Sequence, residues 1–153
     1  MSSTPIDVDE LKKNLQMKLE RLIELQNTTG IYQQLIETNS LILSELLRTK
    51  QALRDLLRME EKSLSGLISI GAGIFTEGII RVSGKLLVDI GAGIAIPMTV
   101  EEAITALEKK ERRVREVIEG ASKTIAQLQN MMTRLQEEIE SLRKQLEKAE
   151  RIR

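Results

Sequence analysis

Two long stretches of the chain repeat apolar residues at 3.5-residue spacing, and the segment between them abandons that period. In the first stretch one seam row is Leu15, Leu22, Thr29, Ile36, Leu43, Lys50 and Leu57, and the other is Leu11, Lys18, Leu25, Tyr32, Asn39, Leu46 and Leu53. Ten of these fourteen positions are apolar. The second stretch is cleaner, with Ile104, Glu111, Ile118, Ile125, Met132, Ile139 and Leu146 in one row and Leu107, Val114, Ala121, Leu128, Leu135, Leu142 and Ala149 in the other. A heptad held for so long predicts coiled-coil helices rather than surface helices of a globule.

Start signals bound both helices. Thr4, Pro5 and Asp7 offer a capping hydroxyl, a proline at the first helical position and an acid in the first turn. Thr99 with Glu102, just after Pro97, has the spacing of a capping box. The expected helices run near residues 5–62 and 99–151. Each has roughly 50 to 55 residues and spans on the order of 80 Å. Because the two are equal, folding back antiparallel buries both seams, pairing positions whose numbers sum to about 161. Gly30 and Gly120 fall inside the helices, where each costs roughly 1 kcal/mol against alanine and either loosens the coil locally or marks a hinge or close contact.

Between them, charge nearly vanishes and β-branched residues and glycine take over. The run Leu67-Ile68-Ser69-Ile70-Gly71-Ala72-Gly73-Ile74 is echoed by Leu87-Val88-Asp89-Ile90-Gly91-Ala92-Gly93-Ile94. Four short strands are expected, near residues 66–70, 74–82, 85–90 and 94–97. Ser83-Gly84 is read as a two-residue hairpin turn, and each Gly-Ala-Gly as a turn or bulge. The fold class is mainly α with small β: a long antiparallel two-helix coiled coil joined by two β-hairpins. Its segments are 1–63, 64–98 and 99–153. Four apolar strands with open edges do not form a stable closed sheet alone. An obligate oligomer follows, built through Ile68, Ile70, Ile74, Phe75, Ile79, Leu87, Val88, Ile90, Ile94 and Ile96.

Composition narrows the chemistry. Aromatics are 1% of 153 residues, so a compact core is not expected, while charged residues reach 30% and suit long helices. The 23 basic and 23 acidic residues cancel, so no global field draws the chain to nucleic acid or an anionic membrane. With no cysteine and no histidine there is no basis for disulfides, thiolate or imidazole metal sites, or nucleophile systems that need either residue. No catalytic, cofactor-binding or metal residues are assigned. Gly-Ala-Gly lacks the third glycine of a dinucleotide fingerprint, because Thr76 and Ile96 stand there. Lys109-Lys110-Glu111-Arg112-Arg113-Val114-Arg115 is basic, but Glu111 and Val114 are seam residues and no aromatic platform is near, so a solvated face is expected. Leu86 to Met98 is too short and too polar, with Asp89 inside, to enter a bilayer. The N-terminus shows no signal-peptide pattern, which makes a cytoplasmic location the expectation.

Residues 64–103, with their two Gly-Ala-Gly hairpin units and the Thr-Val-Glu-Glu-Ala helix opening, resemble the archaeal alpha subunits of the prefoldin family. The resemblance extends to the flanking equal helices. It implies an ATP-independent chaperone in which two alpha-class and four beta-class subunits join their strands into a double β-barrel. It also implies that the coiled-coil tips hold unfolded client proteins and pass them to a group II chaperonin. Two hairpins are the alpha-class number. On that reading the client-binding tip residues are Ile6, Val8, Leu11, Leu15, Met17 and Leu19 with Ile139, Leu142, Leu146 and Ile152. A coiled-coil scaffold or filament-forming relative would share the same plan.

Overall fold

The computed structural model describes residues 7–60, 63–82 and 84–151. Its elements are α1 (Val8–Arg58), β1 (Ser63–Gly71), β2 (Ile74–Arg81), β3 (Leu86–Gly91), β4 (Ile94–Met98) and α2 (Val100–Arg151). Two compact units divide them: Met1–Asn39 with Glu116–Arg153, and Ser40–Arg115.

Helix starts follow side-chain caps. Thr4 and Pro5 lie outside the described residues, and the cap seen on α1 is Asp7, whose Oδ1 accepts the N–H groups of Asp9 at 3.0 Å and Glu10 at 3.4 Å. At α2 the capping box is complete: Thr99 N–H donates to Glu102 Oε2 at 2.9 Å, and Glu102 N–H donates to Thr99 Oγ1 at 3.1 Å.

In the first unit α1 and α2 run antiparallel, with Lys12 against Glu150 at 3.1 Å and Lys18 against Glu138 at 2.5 Å. Leu25, Ala121, Leu128, Ile139, Leu142 and Leu146 are buried. Thr29 sits buried among them because its hydroxyl donates back to the Leu25 carbonyl at 2.8 Å, which leaves no unpaired polar atom. The second unit is antiparallel as well, joining Lys50 to Glu111 and Arg54 to Glu108. Lys50 with Glu111 falls on the register expected from equal arms.

Every α2 seam position is buried or half-buried, and so is every α1 seam position except Leu57. Leu57 is exposed, and Leu56 takes the inward place. The cause is local: at its last turn α1 faces strands as well as a helix. Leu56, Leu86, Val88 and Met98 pack around Leu53, Val100 and Ala103, so the helix presents the residue that meets β3 and β4.

The strands form two separate antiparallel hairpins, β1–β2 and β3–β4. Each closes at its Gly-Ala-Gly, where Ala72 and Gly73, and likewise Ala92 and Gly93, take positive φ in a two-residue turn. A register shift precedes each turn, between Ser69 and Gly71 and between Asp89 and Gly91, so these units are both turn and bulge. Asp89 Oδ1 accepts the Gly91 N–H at 2.8 Å and secures the second bulge. The expected Ser83-Gly84 turn includes Ser83, which lies outside the described residues; β2 and β3 are not paired with each other, and each bonds its own hairpin partner. α1 also stops at Arg58 rather than near residue 62.

Candidate assembly and client-binding surfaces

Pairing register places alternate strand residues on opposite faces. In β1–β2, Leu64 with Ile80 and Ile68 with Thr76 lie on one face; Ser65 with Ile79, Leu67 with Glu77 and Ser69 with Phe75 lie on the other. Ile68, Ile80, Leu67, Ile79 and Phe75 are all exposed, so this hairpin shows apolar side chains on both faces. Ile79 is 71% exposed. In β3–β4, Leu86 and Met98 pair, as do Val88 and Ile96, and this face is half-buried at the base of the helix pair. Leu87, paired with Pro97 on the opposite face, is 78% exposed.

Of the ten strand residues expected at an assembly interface, Ile68, Ile70, Ile74, Phe75, Ile79, Leu87, Ile90 and Ile94 are exposed in the single chain. Val88 and Ile96 are half-buried, and Val88 is covered by its own helices, so its apolar surface is used within the chain. Leu67 and Ile80 are equally open and were missed. The signal for them was present, since both continue the same apolar runs. An exposed apolar area of this kind marks an interaction surface, because water-facing strands with open edges associate.

The chain-terminal ends of the helices look different. Ile6 and Ile152 lie outside the described residues. Val8, Ile139, Leu142 and Leu146 are buried in the seam, and Leu11, Leu15 and Leu19 are half-buried. Among the described tip residues only Met17 is openly exposed, at 59%, in a shallow groove with Arg21, Glu24 and Leu135. Leu19, which lies in neither seam row, is partly covered. The seam residues open to solvent only where the two helix ends part, whereas Met17 needs no such opening.

Sequence reasoning also passed over apolar residues on the outside of α1. Ile23, Ile31 and Leu35 in the first unit and Leu41, Ile42 and Leu47 in the second are exposed, while α2 shows only Val117 and Met131 in this way. A search for heptads leaves such positions unread because they fall in neither seam row.

Electrostatics are mostly those of solvated surfaces. Lys123 is raised and Glu119 lowered by their mutual hydrogen bond, across an exposed i,i+4 pair that water screens. Glu111 differs in being largely covered; hydrogen bonds from Lys50 and then Arg115 hold its carboxyl below the usual carboxylate range against the opposing effect of burial. Among the described residues no cluster of three or more Asp or Glu is arranged to hold a metal, and no helix is long and apolar enough to cross a membrane.

An antiparallel helix pair carrying two apolar hairpins defines a class of coiled-coil proteins with exposed strands. The family model described as Prefoldin subunit matches residues 25–145, and the chain belongs to the prefoldin family. The family is one of molecular chaperones rather than enzymes, and its members form hetero-oligomers. The chain is 31% identical over 105 residues to the prefoldin subunit alpha of Pyrococcus horikoshii, covering 69% of this chain and 71% of that one. To the prefoldin subunit alpha of Archaeoglobus fulgidus it is 26% identical over 128 residues, covering 84% and 93%. Among solved structures it resembles the filamentous PFD of Methanocaldococcus jannaschii seen by cryo-EM, with a TM-score of 0.64 and 18% identity over 80% of this chain and 98% of that one. That likeness is one of fold.

Proposed function

We propose that this chain is the alpha-class subunit of a cytoplasmic, ATP-independent holdase, in which two such chains join four one-hairpin beta-class subunits. The hairpins close an inter-subunit β-barrel, the helix ends hold unfolded proteins, and the cargo passes to a group II chaperonin. The observation that carries the reading is the apolar surface open on all four strands, from Leu67 to Ile94, which a lone chain leaves in water. The capture step draws on Met17 and on the seam residues Leu11, Leu15, Leu142 and Leu146, uncovered when the ends fray. One tip contributes only about 25 cal/mol per Å² of apolar area it covers. Several tethered tips raise the effective concentration, so clients are retained yet released without ATP. The test is whether the purified assembly slows aggregation of a chemically denatured protein with no nucleotide present.

A second reading, a structural filament, is favoured by the filamentous form of the structural neighbour. It uses the same strands but needs no client contact. Electron microscopy of the purified chain, with the aggregation assay alongside, separates the two: filaments without suppression support the scaffold.

A further inference from the structure

The two helices are joined through two hairpins between Arg58 and Val100, not by a tight loop that would itself dictate their alignment. The seam must therefore choose the register, yet thirteen of the fourteen α2 seam positions are apolar and accept any apolar neighbour one heptad along. Glu111 is the exception. Its side chain is only 15% exposed, and Lys50, the α1 seam residue that meets it, is 12% exposed. Glu111 Oε2 accepts the hydrogen bond from Lys50 Nζ, while Oε1 accepts Arg115 Nε at 2.9 Å and Nη2 at 2.8 Å, so both oxygens are occupied.

The other polar α1 seam residues do not discriminate in this way. Thr29 and Asn39 satisfy themselves on the carbonyls of Leu25 and Leu35 in their own helix. Lys18 reaches Glu138, whose side chain is 56% exposed, so both charges retain contact with water.

We propose that the Lys50–Glu111 pair is a register lock, which selects one antiparallel alignment of the helices and so fixes where β3–β4 seats on their base. A slip of one heptad would set Lys50 against Ile104 or Ile118 and Glu111 against Leu43 or Leu57. Lys50 would then be covered without a partner and Glu111 would keep only Arg115 of its own helix, a costly arrangement for this seam. Arg115, on the same helix as Glu111 and one turn on, acts as a positioning residue that aims the carboxylate. Three residues beyond Lys50, Leu53 packs with Val100 and Ala103 and supports Leu86 and Val88, so an error in register would move the floor under the second hairpin.

The chain has no cysteine, which permits a direct test in the full-length protein as purified. Arg54→Cys with Glu108→Cys, joined by a short flexible bis-maleimide because the 3.7 Å approach is between the tips of two long side chains, reports the native register. Leu47→Cys with Glu108→Cys reports a slip of one heptad. In the parent background only the first pair should crosslink efficiently. In K50L/E111L the slipped crosslink should rise by roughly tenfold while helicity is retained, since the apolar seam no longer penalises it. K50E/E111K should return to the native crosslink alone. If K50L/E111L does not fold, K50E, which sets two carboxylates together in the seam, supplies the same comparison. Confinement of K50L/E111L, or in its place K50E, to the native crosslink would overturn the proposal.

Discussion

Ile68 lies over Gly78 so closely that a β-carbon on Gly78 would come within 2.5 Å of Ile68 Cδ1. The missing side chain lets an isoleucine lie flat across the β1–β2 hairpin on the face that carries Leu64 and Ile80. Gly78→Ala therefore forces the end of Ile68 to swing, an off-rotamer cost of about 1 kcal/mol at most. Melting of the helices should hardly change, while the subunit interface weakens because its surface is reshaped. Native mass spectrometry checks this, and an undiminished oligomer would show that the face is not at the interface.

Charge on the strands should act more severely. Ile74→Asp or Ile94→Asp places a carboxylate on a surface that assembly would remove from water, where an unpaired charge is costly. Both side chains are exposed in the single chain, so its own folding has no reason to suffer. The expected result is lost oligomer with high helicity by circular dichroism. Variants that keep their native mass would place the interface elsewhere.

Much of this architecture could be read from spacing alone, and the exceptions share a cause. The α2 seam from Ile104 to Ala149 and the Thr99–Glu102 box depend on contacts within a helix or between two helices, which heptads and caps describe well. Leu57 was misplaced because the last turn of α1 answers to Leu86, Val88 and Met98 of the second hairpin, contacts that helical periodicity does not contain. Ser83-Gly84 has the residues of a hairpin turn, but turn residues alone do not decide which strands pair, and β2 and β3 bond β1 and β4 instead of each other. At the helix ends, seam membership and the proposed client contact draw on the same leucines. Sequence could nominate Leu142 and Leu146 but not show that they are covered.

The turns hold a small reserve of stability. Ala72 and Ala92 sit at φ of 49° and 53°, a left-handed region that costs an alanine roughly 1–2 kcal/mol. Ala72→Gly with Ala92→Gly removes that strain at the expense of some chain entropy, so the double variant should be as stable as the parent or more so. Thermal melting of the assembled protein decides it; a clear loss would mean the alanine methyl groups make contacts that matter.

Thr99→Ala removes one of the two reciprocal bonds at the start of α2 and leaves the Glu102 N–H without its partner. A loss of about 1 kcal/mol is expected, and Thr99→Ser should restore most of it. Denaturant titration measures both.

Acid should weaken the Lys50–Glu111 seam in a defined direction. The folded pKa of Glu111 lies below its ordinary 4.5, chiefly through the hydrogen bond from Lys50 and then that from Arg115. Its contribution is therefore present above about pH 4.5 and lost as pH falls through the lower folded value. Glu111→Gln should be less stable than the parent at neutral pH, and the gap should close on acidification. A gap independent of pH would mean that the carboxylate charge is not what the seam uses.

The central claim is capture of unfolded chains by the helix ends of an assembled, nucleotide-free oligomer. The most direct measurement is light scattering as a denatured protein is diluted into the purified assembly, compared with an assembly lacking residues 1–19 and 143–153. The full-length assembly should suppress scattering without ATP, and the truncated one should keep its mass but lose suppression. Equal suppression by both, or none by the full-length protein, would contradict the account.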